Sequence, residues 1–481
     1  MRAVQPDVDA GATHFSAPHG HPDIADRLPW AGLIDVLLLT LTVVVADAGV
    51  VSEADGVVVA LASAVLRPPL IPYLLFVIAG FQDAKGLSGF WWYGGTAMLG
   101  CVTLLVNGGG LPKPLLHGRR EYRDLATFAL LVIVYALVSS YVQRWFGIHE
   151  QASTREPIVV GLLAVAMLMF GSAAWERVSA DPRAERRICT VFWLMFLNGL
   201  GVSIARLSYG YQSFVSVAGA EGMEAGGEQL FEDTPLGFPR MTGTYLTPIG
   251  FAMYIGYLLL LWQAAKGEQP VRSRFVLLYC LAGLVLALTS LSKDMAIFFV
   301  ITSLGFAAVR VRALVPVLVV AVSLAIVGAA YVGGDAILEA FRFESGTSEE
   351  SYRAMTWSAI LDTFTWTDWV FGTGIAYWPV FLERTVGFSL SDPHSFLFSI
   401  PGTYGLVGVA FYLILALFLY AAFRGTRSYL RMVALALATM FFIVDATSIP
   451  YVIGNTPITM LIWAALSSLG MRGVDSEARP A

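Results

Sequence analysis

Residues 126–142 read ATFALLVIVYALVSSYV, a stretch without a single charged side chain. An α-helix of about 20 mostly apolar residues crosses the hydrocarbon core of a bilayer, and this stretch is close to that length. Arg119, Arg120 and Arg123 precede it in the chain. Apolar stretches of this kind recur along nearly the whole sequence and are separated by short charged joints. The pattern predicts an all-α polytopic membrane protein.

The composition supports this class, because 57% of the residues are hydrophobic and 14% are charged. A soluble domain of this length could not bury so much apolar surface. The formal charge of −5 is modest, and no basic stripe indicates a nucleic-acid partner. Cys101, Cys189 and Cys280 all fall inside predicted spans, so we expect neither a disulfide framework nor a metal site built on thiolates.

The predicted spans number about 14, or about 12 if two short hairpins do not fully cross. The first set covers residues 30–47, 57–65, 70–81, 90–106, 126–142, 158–175 and 188–207. The second set covers residues 245–262, 275–291, 295–309, 313–332, 404–422, 432–444 and 452–469.

These spans divide the chain into seven parts. We expect a cytoplasmic tail without a signal peptide (1–28), an N-terminal transmembrane bundle (29–207), a first extracytoplasmic loop (208–243), central transmembrane helices (244–332), a large extracytoplasmic loop with short helices and the candidate site (333–403), C-terminal transmembrane helices (404–470) and a cytoplasmic tail (471–481).

Positive charge predicts the orientation, since short cytoplasmic loops collect Lys and Arg. The basic joints at alternate junctions are Arg67; Arg119, Arg120 and Arg123; Arg183, Arg186 and Arg187; Lys266, Arg272 and Arg274; Arg310 and Arg312; Arg424, Arg427 and Arg431; and Arg472. This alternation requires residues 57–81 to form a tight hairpin that turns at Arg67. Both termini are then cytoplasmic, and the loops 208–243 and 333–403 lie on the opposite side.

The first of these loops ends in a motif that carries a lone cation, because Arg240 precedes Gly243-Thr244-Tyr245. Two interpretations of Arg240 stay open. It snorkels at the membrane interface, or it contributes to an anion site in which Gly243 lets a backbone N–H approach the anion closely.

The large loop carries three features. Thr347-Ser348-Glu349-Glu350 has the pattern of a capping box and predicts a short amphipathic helix that contains Arg353. Aromatic side chains then surround Gly372-Thr373-Gly374: Trp366, Trp369, Tyr377 and Trp378. We expect them to be interfacial anchors, with sugar stacking as the alternative. Finally, His394-Ser395 is followed by nine residues and then by Gly405-Leu406-Val407-Gly408.

A histidine at this junction could simply be capped or solvated. A neutral imidazole there could also take a proton from a hydroxyl near pH 7, the step that glycosyl transfer to an alcohol needs.

With Arg240, Arg353 and the His394-Ser395 motif in view, the chain resembles the O-antigen ligase and O-antigen polymerase superfamily of bacterial inner-membrane glycosyltransferases. The resemblance runs from about residue 240 to residue 423. It implies an enzyme with its active face in the periplasm, which takes a glycan from undecaprenyl diphosphate and passes it to a sugar hydroxyl. The acceptor is lipid A core for ligases and another lipid-linked repeat for polymerases. The resemblance implies no cofactor, metal or nucleotide.

The resemblance also implies residue roles. Arg240 and Arg353 bind the diphosphate, where guanidinium groups neutralise the growing charge of the leaving group, and His394 is the general base. The chain departs from the family pattern at Pro248-Ile249, where Pro-Asn is frequent, and at Ser292-Lys293-Asp294, where Ser-Arg-Gly is usual. Lys293 keeps the positive charge without the planar fork, so it either binds phosphate or pairs with Asp294. Secondary candidates are Arg206, Ser395 and Thr244.

Ligase and polymerase share donor and chemistry. The spacing after His394-Ser395 favours the ligase, and the sizeable loop 208–243 favours the polymerase. A lipid-linked glycan flippase or other transporter is the more distant alternative, because it needs ionisable residues along a path through the spans. Most of the ionisable residues singled out above gather instead outside the spans, and Arg206 lies at the outer end of its span.

Overall fold

A computed structural model describes residues 70–80, 90–145, 155–209, 248–265, 358–374, 396–424 and 457–471, together with the single residues 58, 62 and 316. About 90% of these residues are helical, and the described part contains no β-strand. The predicted all-α class is therefore confirmed for this part of the chain.

The described helices are α1 (Ile71–Ala79), α2 (Phe90–Val106), α3 (Lys113–His117), α4 (Arg120–Trp145), α5 (Arg155–Ala180), α6 (Ala184–Tyr209), α7 (Pro248–Ala265), α8 (Trp366–Phe371), α9 (Phe396–Arg424) and α10 (Pro457–Met471). A further short helical segment covers residues 358–363.

Several predicted spans coincide with these helices. The span 90–106 has the same bounds as α2, and the spans 126–142, 158–175 and 188–207 lie inside α4, α5 and α6. Within the described ranges, three helical windows are long and apolar enough to cross a membrane: Arg120–Ser139, Gly161–Ala180 and Ile400–Ala422. Shorter apolar helical windows are Gly94–Val106, Met253–Ala265 and Pro457–Met471.

Six other predicted spans cannot be compared in the same way. The predicted spans 30–47, 275–291, 295–309 and 432–444 lie outside the described residues, as do 57–65 and 313–332 except for their single described residues. The number of spans and the sidedness of the loops therefore stay predictions.

Helix α5 is the centre of the packing, since it contacts α1, α2, α3, α4 and α10. It lies close to α10 at Gly171, where an added Cβ would lie 2.3 Å from the carbonyl oxygen of Met460. Two helix backbones can come this near only where the side chain is absent. Small residues are the usual means of such close packing between helices in membranes.

Polar contacts tie several helix ends together at one end of this bundle. The hydroxyl of Tyr73, near the start of α1, donates to Asp181 at 2.5 Å, and Arg187 of α6 donates to the same carboxylate at 3.0 Å. The N–H of Arg119, just before α4, donates to the carbonyl of Gly470 in α10 at 2.8 Å. The starts of α1, α4 and α6 therefore lie at the same end as the C-termini of α5 and α10.

Candidate functional site

Most of the predicted site residues lie outside the described residues: Arg240, Thr244, Lys293, Arg353, His394 and Ser395. The secondary candidate Arg206 belongs to the last turn of α6, which ends at Tyr209. The structure does describe the two segments that border the main candidates along the chain. Residues 358–374 begin five positions after Arg353, and α9 begins directly after Ser395.

The first bordering segment contains α8, whose start is fixed by its own side chains. The Thr365 hydroxyl accepts a hydrogen bond from the Asp368 N–H at 3.3 Å, and the Asp368 carboxylate accepts one from the Thr365 N–H at 2.9 Å. This reciprocal arrangement is a capping box, which satisfies N–H groups that the first helical turn leaves free. The ring of Trp369 then packs edge-on against Phe364 at 5.0 Å. The segment is thus locally ordered by side chains within six residues of each other.

The second bordering segment, α9, is interrupted near its start. Pro401 removes one backbone donor, and Gly405 adopts φ 60° and ψ −143°, far from helical values. That conformation is accessible to glycine and costly for other residues. Helix α9 therefore consists of a short first part before Gly405 and a long second part after it. The first part begins at Phe396 and not near Tyr404, where the sequence predicted the span to start.

The two segments are joined at this break. The N–H of Thr373 donates to the carbonyl of Gly402 at 2.8 Å, and the N–H of Gly374 donates to the carbonyl of Thr403 at 3.0 Å. The Thr373 hydroxyl adds a third bond to Gly402 at 3.1 Å. Residues 372–374 are buried. The loop therefore supplies donors to carbonyls that the interrupted helix would otherwise leave without partners.

Glycines make this contact sterically feasible. A Cβ on Gly372 would lie 2.3 Å from the carbonyl oxygen of Thr403, and a Cβ on Gly405 would lie 2.3 Å from that of Val370. A Cβ on Gly408 would lie 2.6 Å from the side chain and 2.7 Å from the carbonyl oxygen of Ile400. The Gly405-Leu406-Val407-Gly408 motif thus has a packing role here. One glycine admits the loop, and the other lets the second part of α9 fold against the first.

Helix α4 completes the contact. The hydroxyl of Tyr135 donates to the carbonyl of Phe371 at 2.7 Å, directly before the buried Gly372. Helix α4 also packs along α9. The last turn of α8 is therefore held between two long helices, and its position follows from hydrogen bonds to both.

Residues 358–374, held against the break in α9 and against Tyr135 of α4, form a cradle that carries little charge of its own. Within residues 358–374 the ionisable side chains are Asp362 and Asp368, and Asp368 serves the capping box. In the described ranges, no group of three or more His, Cys, Asp or Glu side chains comes together. This cradle can fix the bordering chain segments in place.

Sequence reasoning missed the cradle, although it singled out its parts. Gly372-Thr373-Gly374 and the Gly405-to-Gly408 motif were both recognised, yet nothing local indicates that they touch. Pro401-Gly402 inside the uncharged stretch 396–422 was the available signal for an interrupted helix. The contact partner could not be deduced, because it lies about thirty positions away along the chain.

Comparisons of this chain with protein family models, with curated proteins and with solved structures find no match.

Proposed function

We propose that this chain is a membrane glycosyltransferase of the O-antigen ligase type in the bacterial inner membrane. It moves a glycan from undecaprenyl diphosphate to a sugar hydroxyl of lipid A core on the periplasmic side. The observation that carries the proposal is the packing of residues 358–374 against the break in α9. This packing joins the chain segment that follows Arg353 to the helix that follows His394. Arg353 and His394 are the two residues that are central to the proposed chemistry.

The proposed reaction is a displacement at the anomeric carbon of the donor glycan. The acceptor oxygen forms a bond to that carbon, and the bond from the carbon to the diphosphate breaks. The acceptor proton passes to the imidazole of His394, and the bonding electrons leave with the diphosphate. Arg240 and Arg353 neutralise the charge that grows on this leaving group, with Lys293 as an additional cation. Arg206, Ser395 and Thr244 are secondary candidates for orienting the substrates.

A rigid cradle matters for such a reaction. A base and two cations that come from separate parts of the chain must meet within hydrogen-bonding distance of one substrate, and misplacement by about 1 Å costs roughly 100-fold in rate. The backbone bonds of Thr373 and Gly374 and the hydroxyl of Tyr135 limit how far the segment after Arg353 can move relative to α9. These bonds support the proposal because they hold the two segments together. They do not involve the reacting groups themselves.

The direct test is turnover by the purified full-length protein in lipid nanodiscs with undecaprenyl-diphosphate glycan and lipid A core. We expect a glycosylated lipid A core from the parent protein and none from His394→Ala. His117→Ala is the matched control, since His117 lies in α3, near the end of the bundle where Arg119 meets Gly470. Unchanged turnover by His394→Ala, with normal insertion and folding, would remove the proposed base.

A second comparison tests the cation. Arg240→Lys keeps the charge and loses the planar fork that binds two phosphate oxygens at once, so we expect impaired turnover. Arg120→Lys is its control, because Arg120 is highly exposed at the start of α4. Equal activity of the two variants would leave Arg240 as an interfacial residue without a role in donor binding.

The polymerase of the same superfamily is the second candidate, favoured by the length of the loop 208–243. The same assay separates the two when a lipid-linked repeat is added as acceptor, because a polymerase yields a longer lipid-linked product. A flippase or other transporter would move the lipid-linked glycan and form no new glycosidic bond in either assay.

A further inference from the structure

The described part of the large loop exposes large apolar side chains that its own fold does not cover. Leu361 is 56% exposed, Trp366 is 72% exposed and Phe371 is 54% exposed. Polar side chains of the same segment are exposed as well, among them Asp362 and Thr367. A short segment that leaves three large apolar side chains uncovered in water forgoes the free energy of burying them.

We propose that residues 358–374 are seated in the outer leaflet of the bilayer, where Leu361, Trp366 and Phe371 contact lipid acyl chains. The segment would then be embedded in the bilayer and would not be a loop in the periplasm. This inference concerns the position of the segment relative to the membrane and does not depend on the proposed reaction.

Attachment within the helices is the first argument. The segment is bonded to Tyr135, which lies inside the apolar stretch Arg120–Ser139 of α4. It is also bonded to Thr403, which lies inside the apolar stretch Ile400–Ala422 of α9. Both attachments therefore fall within helical stretches that are long and apolar enough to cross a membrane.

The backbone bonding fits a position in the bilayer. Irregular backbone is tolerated among lipid chains only where its polar groups find partners within the protein. The N–H groups of Gly372, Thr373 and Gly374 are all bonded, to the carbonyls of Asp368, Gly402 and Thr403. The carbonyl of Phe371 accepts from Tyr135. A loop surrounded by water would not require this pairing.

Continuity with the exposed faces of the neighbouring helices is the third argument, and it selects lipid as the occupant. Helix α4 exposes apolar side chains at helical spacing: Leu131, Val134, Val138 and Val142. Helix α9 does the same after its break: Leu406, Leu413, Leu417 and Tyr420. Tyr135 lies within the first stripe by its spacing, so Phe371 adjoins the surface that acyl chains cover if these windows span the membrane.

The test is site-directed spin labelling of the full-length protein in nanodiscs, after Cys101, Cys189 and Cys280 are replaced by Ser. Labels are placed at Leu361→Cys, Trp366→Cys and Phe371→Cys, with Asp362→Cys and Thr367→Cys as matched controls in the same segment. Molecular oxygen concentrates in hydrocarbon, whereas a nickel chelate stays in water. We expect the ratio of oxygen to nickel accessibility to exceed one at the three apolar positions and to reverse at the two controls.

Two outcomes would overturn the proposal. Nickel-dominated accessibility at all three apolar positions would place the segment in water. Protection of these positions from both reagents would indicate a protein surface, such as a second copy of the chain. A measurement on the chain with its cysteines intact guards against misfolding of the labelled variants. Lipids brominated near the top of the acyl chains should quench less of the total tryptophan fluorescence in Trp366→Phe than in the parent protein. Equal quenching in the two proteins would contradict the proposed position of the segment in the bilayer.

Discussion

Tyr122 places a hydroxyl among three helices. In α4 its oxygen lies 3.0 Å from the Ser172 hydroxyl of α5 and 2.6 Å from the Ser467 hydroxyl of α10. All three side chains are buried. The two serines also donate to carbonyls of their own helices, Leu168 at 2.8 Å and Trp463 at 2.7 Å. This cluster links the helices that form the centre of the packing.

Tyr122→Phe should lower stability only modestly. The two serine hydroxyls keep their carbonyl partners, so no buried donor is left unsatisfied and the loss is about 1 kcal/mol. The measurement is the midpoint of thermal unfolding in detergent. Tyr420→Phe is the control, because Tyr420 is exposed on α9 and its hydroxyl should contribute little. Equal midpoints for the two variants would mean that the cluster adds nothing to the stability of the bundle.

At the scale of elements, the break in α9 depends on one glycine. Gly405→Ala would strain the backbone at φ 60° and bring the new Cβ to 2.3 Å from the Val370 carbonyl oxygen. The strain alone is about 1–3 kcal/mol. The loop should therefore separate from the break, and hydrogen exchange at the amides of Thr373 and Gly374 should accelerate by about tenfold or more.

Gly94→Ala is the control for this substitution. Gly94 lies in α2, and apart from its chain neighbours and the nearby backbone of α2, no described atom lies within 4 Å of the position that its Cβ would take. Exchange at Thr373 and Gly374 should be unchanged in that variant. If Gly405→Ala also leaves exchange unchanged, the break is not what holds residues 372–374. If the proposed function is right, Gly405→Ala should in addition lower turnover while the protein stays inserted.

Helix α8 depends on its capping box in the same way. Thr365→Ala removes the hydroxyl that accepts from the Asp368 N–H, which costs about 1 kcal/mol of helix stability. Amide exchange across Trp366–Phe371 should rise by about fivefold, which corresponds to that free energy. Thr365→Ser keeps the oxygen and should restore exchange close to the parent rate. Failure of serine to restore it would assign the effect to the lost methyl group and not to the cap.

The elements also show where sequence reasoning stops. The bounds of α2 follow from the transfer free energy of an apolar run, which is a property of local sequence. The start of α9 does not follow from local sequence. Residues 396–403 form helix before the break, and a carbonyl at that break is bonded by Thr373, which is distant along the chain. The capping box was predicted at 347–350, which lies outside the described residues. The one present at Thr365 was missed because Asp, and not Glu, stands three positions after the Thr.

The same limit holds for the candidate site. Motif resemblance singles out His394, Arg240 and Arg353 without any knowledge of contacts, and their roles stay a proposal because they lie outside the described residues. The cradle beside them could not be predicted, since close backbone approach at Gly372, Gly405 and Gly408 is a property of the assembled helices. Glycine spacing indicates where a backbone can come close, but not what comes close to it.

At the scale of the whole molecule, two ends of the described bundle differ in chemistry. One end gathers Arg119, Arg187 and Asp181 at the starts of α4 and α6 and carries ion pairs such as Lys113 with Glu176 at 3.7 Å. The other end carries α8 and the break in α9. Positive charge accumulates on the cytoplasmic side of membrane proteins, so the first end should face the cytoplasm and the cradle should face outward.

Cysteine labelling of intact cells tests this orientation with two exposed positions. Arg120→Cys replaces a side chain that is 86% exposed at the arginine-rich end, and Thr367→Cys replaces an exposed residue of α8. A membrane-impermeant maleimide should label Thr367→Cys in intact cells and should label Arg120→Cys only after the inner membrane is permeabilised. The parent protein gives the background from Cys101, Cys189 and Cys280, which all fall in predicted spans. The reverse pattern would place α8 in the cytoplasm, where no periplasmic acceptor could reach His394, and it would remove both the orientation and the proposed ligase reaction.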